Sequence, residues 1–464
     1  MTTETFSYET AANAAPYPDT THWLSEIFDA DKSGMPGVNP KLWQAGISQN
    51  AFTDTSSEVL MAQASLQSIE AETLAQTGTA KAASPERQAL EAQARTQIKG
   101  RDLSGMLSNM DTFEKRARDS RLTEGQINKT YEHLTRLLNY GQGATLPVNE
   151  RVKIAQQIIA NAAKPTGIDQ GHHGTCNVNV VESRVYTNDP EKAAGLVVDI
   201  ATTGSFRTKD GTAITPTMRS LTADDEARSN PPSDGKRSYA SQIFQLTAAN
   251  IKWQRTIVTP DRQISSRGKI TYEQIPNKRS RLTGDTGERV LDYNASPPRE
   301  TTNYKQGPAL SVSDLPDIAN QITGKNDTGF VIENKINAGR FTEHVSSPAE
   351  LEKAIVEAEK NGQFPLLIRV HTGNDPFLTD SGGGYSRQRG VWHVVSITAY
   401  NKTTRKATID NQWGSRSDKS VALEKLYKAT MEPGTDEWKK KHELFLQPSK
   451  GIGIDLESLS PFSF

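Results

Sequence analysis

The stretch "DQGHHGTCN", residues 169–177, contains the only cysteine of the chain, Cys176, six residues after Gln170. A cysteine thiolate is a nucleophile that can attack a carbonyl carbon. Two glycines before the cysteine predict a tight turn, and valines such as Val178 and Val185 predict a helix that begins at the thiol. The positive end of a helix lowers a thiol pKa, so this position favours the thiolate. The alternative is a buried, inert cysteine, which is common for a free thiol.

A thiol nucleophile needs a base, and the base needs a group that orients it. His393 follows a glycine-rich loop, residues 379–390, and opens the strand-like run "HVVSITAY", so its ring can reach into a cleft. Asn411 lies in "DNQWG", on the next strand of a predicted hairpin, where its side-chain oxygen can accept a hydrogen bond from the imidazole. Trp413 can cover that bond from water.

Two of these roles have rivals. His371, in "RVHTG", is the rival base, and its alternative interpretation is a surface position on a strand. Asp410 is the rival orienting residue beside Asn411, and only one of the two can serve because neighbours on a strand face opposite ways.

Metal binding is the other chemistry that these residue types suggest. His172 and His173 lie close to Cys176, but zinc sites need three or four ligands and adjacent histidines rarely face one ion. Residues 29–40, "DADKSGMPGVNP", begin like a calcium loop and then place a proline where a bidentate glutamate is needed. Turns between helices are the favoured interpretation there and at residues 117–127. We therefore expect no metal and no cofactor.

The elements that position these residues are helical first and rich in strands later. Residues 1–20 predict a poorly ordered tail, and residues 21–147 a helical region that ends in the linker 139–147. Further helices are predicted at 149–163, 177–204 and 348–361, and strands at 365–373, 391–401 and 406–414. Residues 205–240 and 255–305 are polar and predict loops or short strands. This order of elements predicts an α+β fold.

The composition excludes several classes of partner. The net charge is −1, with 54 Lys and Arg against 55 Asp and Glu, so we expect no nucleic acid partner and no attraction to an anionic membrane. No apolar run is long enough to span a bilayer, so we expect no membrane insertion. The first residues lack a basic cluster followed by an apolar run. The expected location is cytoplasmic, or exported without a recognisable signal peptide.

The motifs around the cysteine and the histidine resemble those of papain-like cysteine peptidases. "QGHHGTC" is similar to the family element Q-G-x-x-G-S-C, and "WHVVSITAYN" with "ATIDNQWG" is similar to H-A-V-x-x-V-G-Y-G followed by N-S-W-G. The matched segments lie around residues 166–200 and 346–415. The resemblance implies a two-part catalytic domain at 148–464, with a helical part and an antiparallel β part, preceded by the all-α region. The long spacing between the cysteine and the histidine fits a polar insertion at about 205–340.

The resemblance also implies the role of each residue. Cys176 would be the nucleophile, His393 the general base and acid, Asn411 the group that orients His393, and Gln170 an oxyanion donor beside the backbone N–H of Cys176. The substrate side of the cleft would include Gly174 and Trp413, and the glycine-rich loop 379–390 offers Tyr385 as a further contact if that loop lines the cleft. Two positions depart from the family pattern, because His173 and Asn177 stand where the family has a cysteine and an aromatic residue.

The expected function is that of a cysteine-dependent hydrolase, a peptidase that cleaves an amide of a protein or peptide substrate through an acyl-thioester on Cys176. One alternative uses the same residues as a transglutaminase or glutamine deamidase, and Asp410 as the third member would favour it. A second alternative is a catalytically inactive papain-like binding or effector module. For the N-terminal helical region, partner binding, targeting and control of access to the cleft remain open alternatives.

Overall fold

The computed structural model describes residues 83–255, 270–276, 287–300, 310–335, 342–377 and 391–433. They belong to a compact unit that extends over residues 83–464. The predicted tail, the calcium-like loop at 29–40 and Tyr385 lie outside the described residues.

Three helices precede the predicted catalytic region, and seven more follow among the described residues. The helices are Pro85–Gln97 (α1), Gly100–Asp119 (α2), Glu124–Asn139 (α3), Val148–Ala163 (α4), Cys176–Asn188 (α5), Pro190–Thr203 (α6), Tyr239–Arg255 (α7), Leu315–Thr323 (α8), Pro348–Lys360 (α9) and Leu423–Ala429 (α10). Thr123 and Gln126 form a capping box at the start of α3, so the stretch 117–127 contains a turn between helices, at residues 120–123, as predicted.

The helix that begins at the cysteine is confirmed, but the single helix predicted over 177–204 is two. The chain leaves helical geometry at Asp189, and Pro190 starts α6. Proline lacks a backbone N–H and fits the first turn of a helix rather than its interior, which explains the break.

The strands of the described ranges form three sheets, of which the largest carries the candidate site. The strands are Phe206–Arg207 (β1), Ala213–Ile214 (β2), Ile270–Gln274 (β3), Glu288–Asp292 (β4), Arg299–Glu300 (β5), Val331–Asn334 (β6), Glu343–Val345 (β7), Leu366–His371 (β8), Trp392–Asn401 (β9), Lys406–Asp410 (β10) and Lys419–Ala422 (β11). The large sheet has the order β11-β10-β9-β8-β6-β7, and the other two pair β1 with β2 and β3 with β4 and β5.

The predicted hairpin is confirmed by the register of the large sheet, in which Lys406 of β10 pairs with Asn401 of β9. The pairs β8/β9, β9/β10 and β10/β11 are antiparallel, whereas β6 runs parallel to both β7 and β8. The sheet is therefore mixed, and its antiparallel part is the part that carries His393.

Helix α7 lies in the region 205–340 that the sequence predicts as a polar insertion. Its side chains Ile243, Phe244 and Leu246 are fully buried, and the helix packs against α4, α5 and α6. This part of the region 205–340 is therefore a core helix, and it lies almost wholly between the two stretches predicted as loops or short strands.

The described residues form a mixed α+β fold with one shared hydrophobic core. Helix α2 packs against α4, and α3 packs against α6, so the first helices share that core with the predicted catalytic region. Within the described ranges, no helix is both long enough and apolar enough to cross a bilayer.

Candidate active site

Cys176 begins helix α5, and its side chain is partly buried. Burial raises the pKa of the thiol, although hydrogen bonds from the backbone at Val394 and Asn177 lower it. This direction is opposite to the one that the helix N-terminus alone predicts, because the loss of water outweighs the backbone donors. The protonated thiol is the resting form at neutral pH.

His393 lies near the start of β9 and is only 2% exposed. Its Nε2 lies 3.0 Å from the Oδ1 of Asn411, and the indole of Trp413 stacks on the imidazole with ring centroids 4.2 Å apart. Burial lowers the pKa of His393 to about 4, while the hydrogen bond to Asn411 raises it. The imidazole is therefore neutral at rest, with its proton on Nε2 and Nδ1 able to accept another.

The rival base and the rival orienting residue are occupied elsewhere. Asp410 is buried, and its carboxylate lies 3.5 Å from the hydroxyl of Ser183, which has a closer acceptor in the carbonyl of Pro165 at 3.1 Å. His371 is 6% exposed, so the surface interpretation of this residue is wrong. Its Nδ1 accepts the backbone N–H of Gly373 at 3.1 Å, and its ring meets Trp392 edge-on.

The side-chain amide of Gln170 is bonded to the loop before the cysteine. Its side-chain nitrogen donates to the carbonyl of His173 at 3.1 Å, and it is not among the described residues that surround the cavity at Cys176. Its role as an oxyanion donor stays a prediction. Gly174 donates its backbone N–H to Glu288 at 3.3 Å, which fixes the turn in front of the cysteine.

Charged side chains from the predicted insertion hold the turn at residues 171–174. Nε2 of His173 lies 2.6 Å from the carboxylate of Asp224, and the fully buried Arg237 lies 3.0 Å from Asp224 and 3.3 Å from Glu226. Glu226 in turn accepts the backbone N–H of His172. This cluster fixes the loop that leads into the nucleophile.

Gly171 is required by that arrangement. Its φ is +67°, and an added Cβ would lie 2.4 Å from both carboxylate oxygens of Glu226. Any other residue would combine an unfavourable backbone conformation with a steric clash.

The same cluster contains the described residues best arranged for a metal ion, because ligand atoms of His173, Asp224 and Glu226 lie within 4.8 Å of one another. The guanidinium of Arg237 already supplies a cation to both carboxylates, and a second cation beside it would be repelled. The side chains of His173, Asp224, Glu226 and Arg237 thus fit a set of ion pairs, which we call the ionic clamp. Sequence reasoning missed the clamp because its members are distant along the chain, although the acidic run "TADDEAR" was a visible signal.

Helix α7 also supports the start of α5. The hydroxyl of Thr175 donates to the side chain of Gln245 at 2.7 Å, and Gln245 donates to the carboxylate of Glu182 at 3.0 Å. Burial raises the pKa of Glu182 to about 7, although the bond from Gln245 lowers it. The residue before the nucleophile is therefore fixed by a buried polar chain.

A cavity of about 280 Å³ lies beside the thiol, and Cys176 and His393 both line it. Segment 310–313 forms one wall, where the carbonyl of Leu310 accepts a hydrogen bond from the side chain of Asn177 at 3.1 Å. Asn177, one of the two residues that depart from the papain-like pattern, thus connects α5 to the predicted insertion.

Glu333, Arg369 and Trp392 complete the cavity. The sequence analysis did not single out these residues. Glu333 in "FVIEN" and Arg369 in "PLLIRVHTG" are nevertheless visible in the sequence, because each is a charged residue within an apolar run.

The structure therefore brings the thiol, the imidazole, the amide of Asn411 and the ring of Trp413 together, while the amide nitrogen of Gln170 is bonded to the carbonyl of His173. A proton acceptor and a nucleophile at one cavity can perform acyl transfer. Comparisons of the chain with protein-family models, with curated proteins and with solved structures find no match.

Proposed function

We propose that this chain is a cysteine-dependent hydrolase, a papain-like peptidase that cleaves an amide bond through an acyl-thioester on Cys176. The observation that carries the proposal is that Cys176 and His393 line one cavity while Asn411 holds Nε2 of the imidazole. This is the arrangement that an activated nucleophile needs: a base near the thiol and a third group that fixes the base.

The reaction follows from these positions. The thiol proton of Cys176 passes to Nδ1 of His393 as the sulfur attacks the substrate carbonyl carbon, and the oxyanion that forms meets backbone N–H groups at the start of α5. The tetrahedral intermediate expels the amine, which takes the proton from His393. Water then attacks the thioester with His393 as base, and the carboxylic acid leaves with the thiol restored.

The neutral resting pair has a consequence for this reaction. Because burial disfavours both the thiolate and the imidazolium, the proton moves during the attack rather than before it. The hydrogen bond to Asn411 and the stacked Trp413 keep the imidazole in one orientation for that transfer.

A second candidate is the catalytically inactive binding module. The observation that favours it is the position of Gln170, whose amide nitrogen is engaged by the carbonyl of His173 and is absent from the described lining of the cavity. The glutamine-specific alternatives differ in the acyl acceptor, and Asp410, which would have favoured them, lies 3.5 Å from the hydroxyl of Ser183.

The test is to incubate the protein with a mixture of peptides, measure the release of new amino groups, and search by mass spectrometry for an acyl group on Cys176. The wild type is compared with Cys176→Ser, His393→Ala and His371→Ala. The hydrolase proposal predicts that the first two substitutions lower turnover by at least about 100-fold. His371→Ala is the matched control, because it removes the same side chain from the neighbouring strand.

Two results would contradict the proposal. If the folded wild type releases no amine and forms no acyl adduct, the binding module is favoured. If His371→Ala abolishes turnover while His393→Ala retains it, the assignment of the base is wrong.

A further inference from the structure

Arg369 gives the cavity beside Cys176 a positively charged wall. It lies on β8 directly opposite Val394, the residue after His393 on β9, so it is fixed relative to the histidine by the register of the sheet. Its guanidinium lies 4.0 Å above the ring of Trp392, and its Nη1 lies 3.3 Å from a carboxylate oxygen of Glu333. Stacking on an indole and one ion pair hold the guanidinium plane in one orientation.

Glu333, the ion-pair partner of Arg369, also lines the cavity and is the less exposed of the two. Its side chain is 3% exposed, whereas that of Arg369 is 25% exposed. One carboxylate oxygen of Glu333 faces Arg369, and the other accepts the hydroxyl of Thr342 at 3.1 Å. The glutamate is therefore committed to protein partners, and the accessible charge of the pair is the cation.

The guanidinium has donors left for a ligand. Arginine has five N–H donors in a planar fork that matches a carboxylate, and among the described residues Glu333 is its one hydrogen-bond acceptor. The cavity of about 280 Å³ lies at the lower end of the volumes of small-molecule sites, so it fits one residue-sized group rather than a large ligand.

We propose that Arg369 is the specificity residue of this site and that the acyl substrate presents a carboxylate to it while its amide carbonyl meets Cys176. This inference rests on the proposed hydrolase function for its catalytic part, but the binding of the carboxylate does not require turnover. The carboxylate can belong to an acidic side chain or to a free C-terminus, and the two sources share the same chemistry.

The test uses capped polyalanine pentapeptides in which each position in turn is glutamate or its neutral amide, glutamine. A second series has alanine throughout and ends in either a free carboxylate or an amide. Two quantities are measured with the wild type, Arg369→Met and Glu333→Gln: kcat/KM for cleavage, and the protection of Cys176 from alkylation by iodoacetamide. Protection reports binding alone and is measurable in a protein that does not cleave.

The expected result is that a peptide with glutamate at one position is favoured over its glutamine counterpart by at least about tenfold in both measurements. Arg369→Met should reduce that ratio to near one, because the glutamate peptide loses its charged partner and the glutamine peptide does not. Glu333→Gln is the matched control at the other side of the ion pair, and it should keep or increase the preference because the guanidinium loses its anionic partner. A preference confined to the free C-terminus would identify that source.

The inference is overturned if the wild type does not discriminate between glutamate and glutamine at any position, or if Arg369→Met keeps the discrimination. Its failure is distinguishable from failure of the proposed function. Cleavage without acid preference refutes the role of Arg369 and keeps the hydrolase. Acid-selective protection that depends on Arg369, with no cleavage of any peptide, keeps the role of Arg369 and refutes the hydrolase.

Discussion

Two opposing effects act on Cys176, and burial is the larger. The first turn of α5 offers backbone donors to the sulfur, which favours the thiolate, while removal of water favours the thiol. His393 is subject to the same conflict, since the hydrogen bond to Asn411 favours the imidazolium and burial opposes it more strongly. Burial therefore acts against a charge on either residue, which favours a neutral pair over a preformed thiolate–imidazolium pair.

This neutral pair predicts how Cys176 reacts with iodoacetamide. The rate should rise about tenfold for each pH unit up to about pH 9, because the thiolate fraction grows by that factor below the thiol pKa. His393 stays uncharged above about pH 4, so it provides no cation that would hold a thiolate at lower pH. The measurement is the rate of alkylation of the wild type across this range.

Unfolded protein is the control for that profile, because its thiol has the ordinary pKa of about 8.5 and reaches its maximal rate at lower pH than the folded protein does. A rate that is high and constant between about pH 5 and pH 8 would contradict the neutral pair. It would show the ion pair that the helix N-terminus alone favours.

Helices and strands whose apolar residues recur at a regular spacing were predictable from the sequence. Helix α9 shows an apolar face at Leu351, Ile355 and Ala358, and all three side chains are buried. The hairpin of β9 and β10 follows from two apolar runs and a short turn. These patterns needed no information from distant parts of the chain.

Helix α7 was not predictable in this way, because its buried positions are often polar. Gln242, Gln245, Asn250 and Gln254 are all buried, and each makes hydrogen bonds to other segments. A helix that is enclosed on all sides has no polar face, so its sequence lacks the amphipathic pattern. The ionic clamp at Arg237 and the wall at Leu310 were hidden for a related reason, since both depend on contacts between residues far apart in the chain.

The buried polar chain on α7 predicts a specific loss of stability. Gln245→Met removes the acceptor of Thr175 and a donor to Glu182, and it leaves both groups buried without that partner. Each such group costs about 1 to 3 kcal/mol, so we expect the free energy of unfolding to fall by at least about 1 kcal/mol. Denaturant unfolding measures the change.

Gln88→Met is the matched control for this substitution, because Gln88 is an exposed residue of α1. It should change the free energy of unfolding by less than about 0.5 kcal/mol. Equal effects of the two substitutions would mean that the hydrogen bonds of Gln245 to Thr175 and Glu182 do not support α5.

At the scale of the whole molecule, the first helices and the candidate catalytic region share one core. Leu134 and Leu137 of α3 are fully buried, as are Ile154 and Ile158 of α4. Helix α3 packs against α6, which follows the helix of the nucleophile. The sequence predicts a domain boundary at 147/148, and this boundary cuts through that core.

Truncation tests the boundary. We expect residues 148–464, without α1 to α3, to lack a cooperative unfolding transition, because the removed helices would leave apolar faces of α4 and α6 in water. Residues 83–464 are the control and should unfold cooperatively. If residues 148–464 unfold cooperatively at a similar temperature, the boundary at 147/148 is correct and the helical region is a separate domain.

The single thiol gives the molecule a built-in site for spectroscopy. With Cys176 as the only cysteine of 464 residues, a trifluoromethyl reagent attaches at one position without any engineering of the chain. The label would lie beside the wall that the Asn177–Leu310 hydrogen bond connects to α5. The fluorine NMR spectrum would then contain one protein resonance, and its line width would report how often that wall opens.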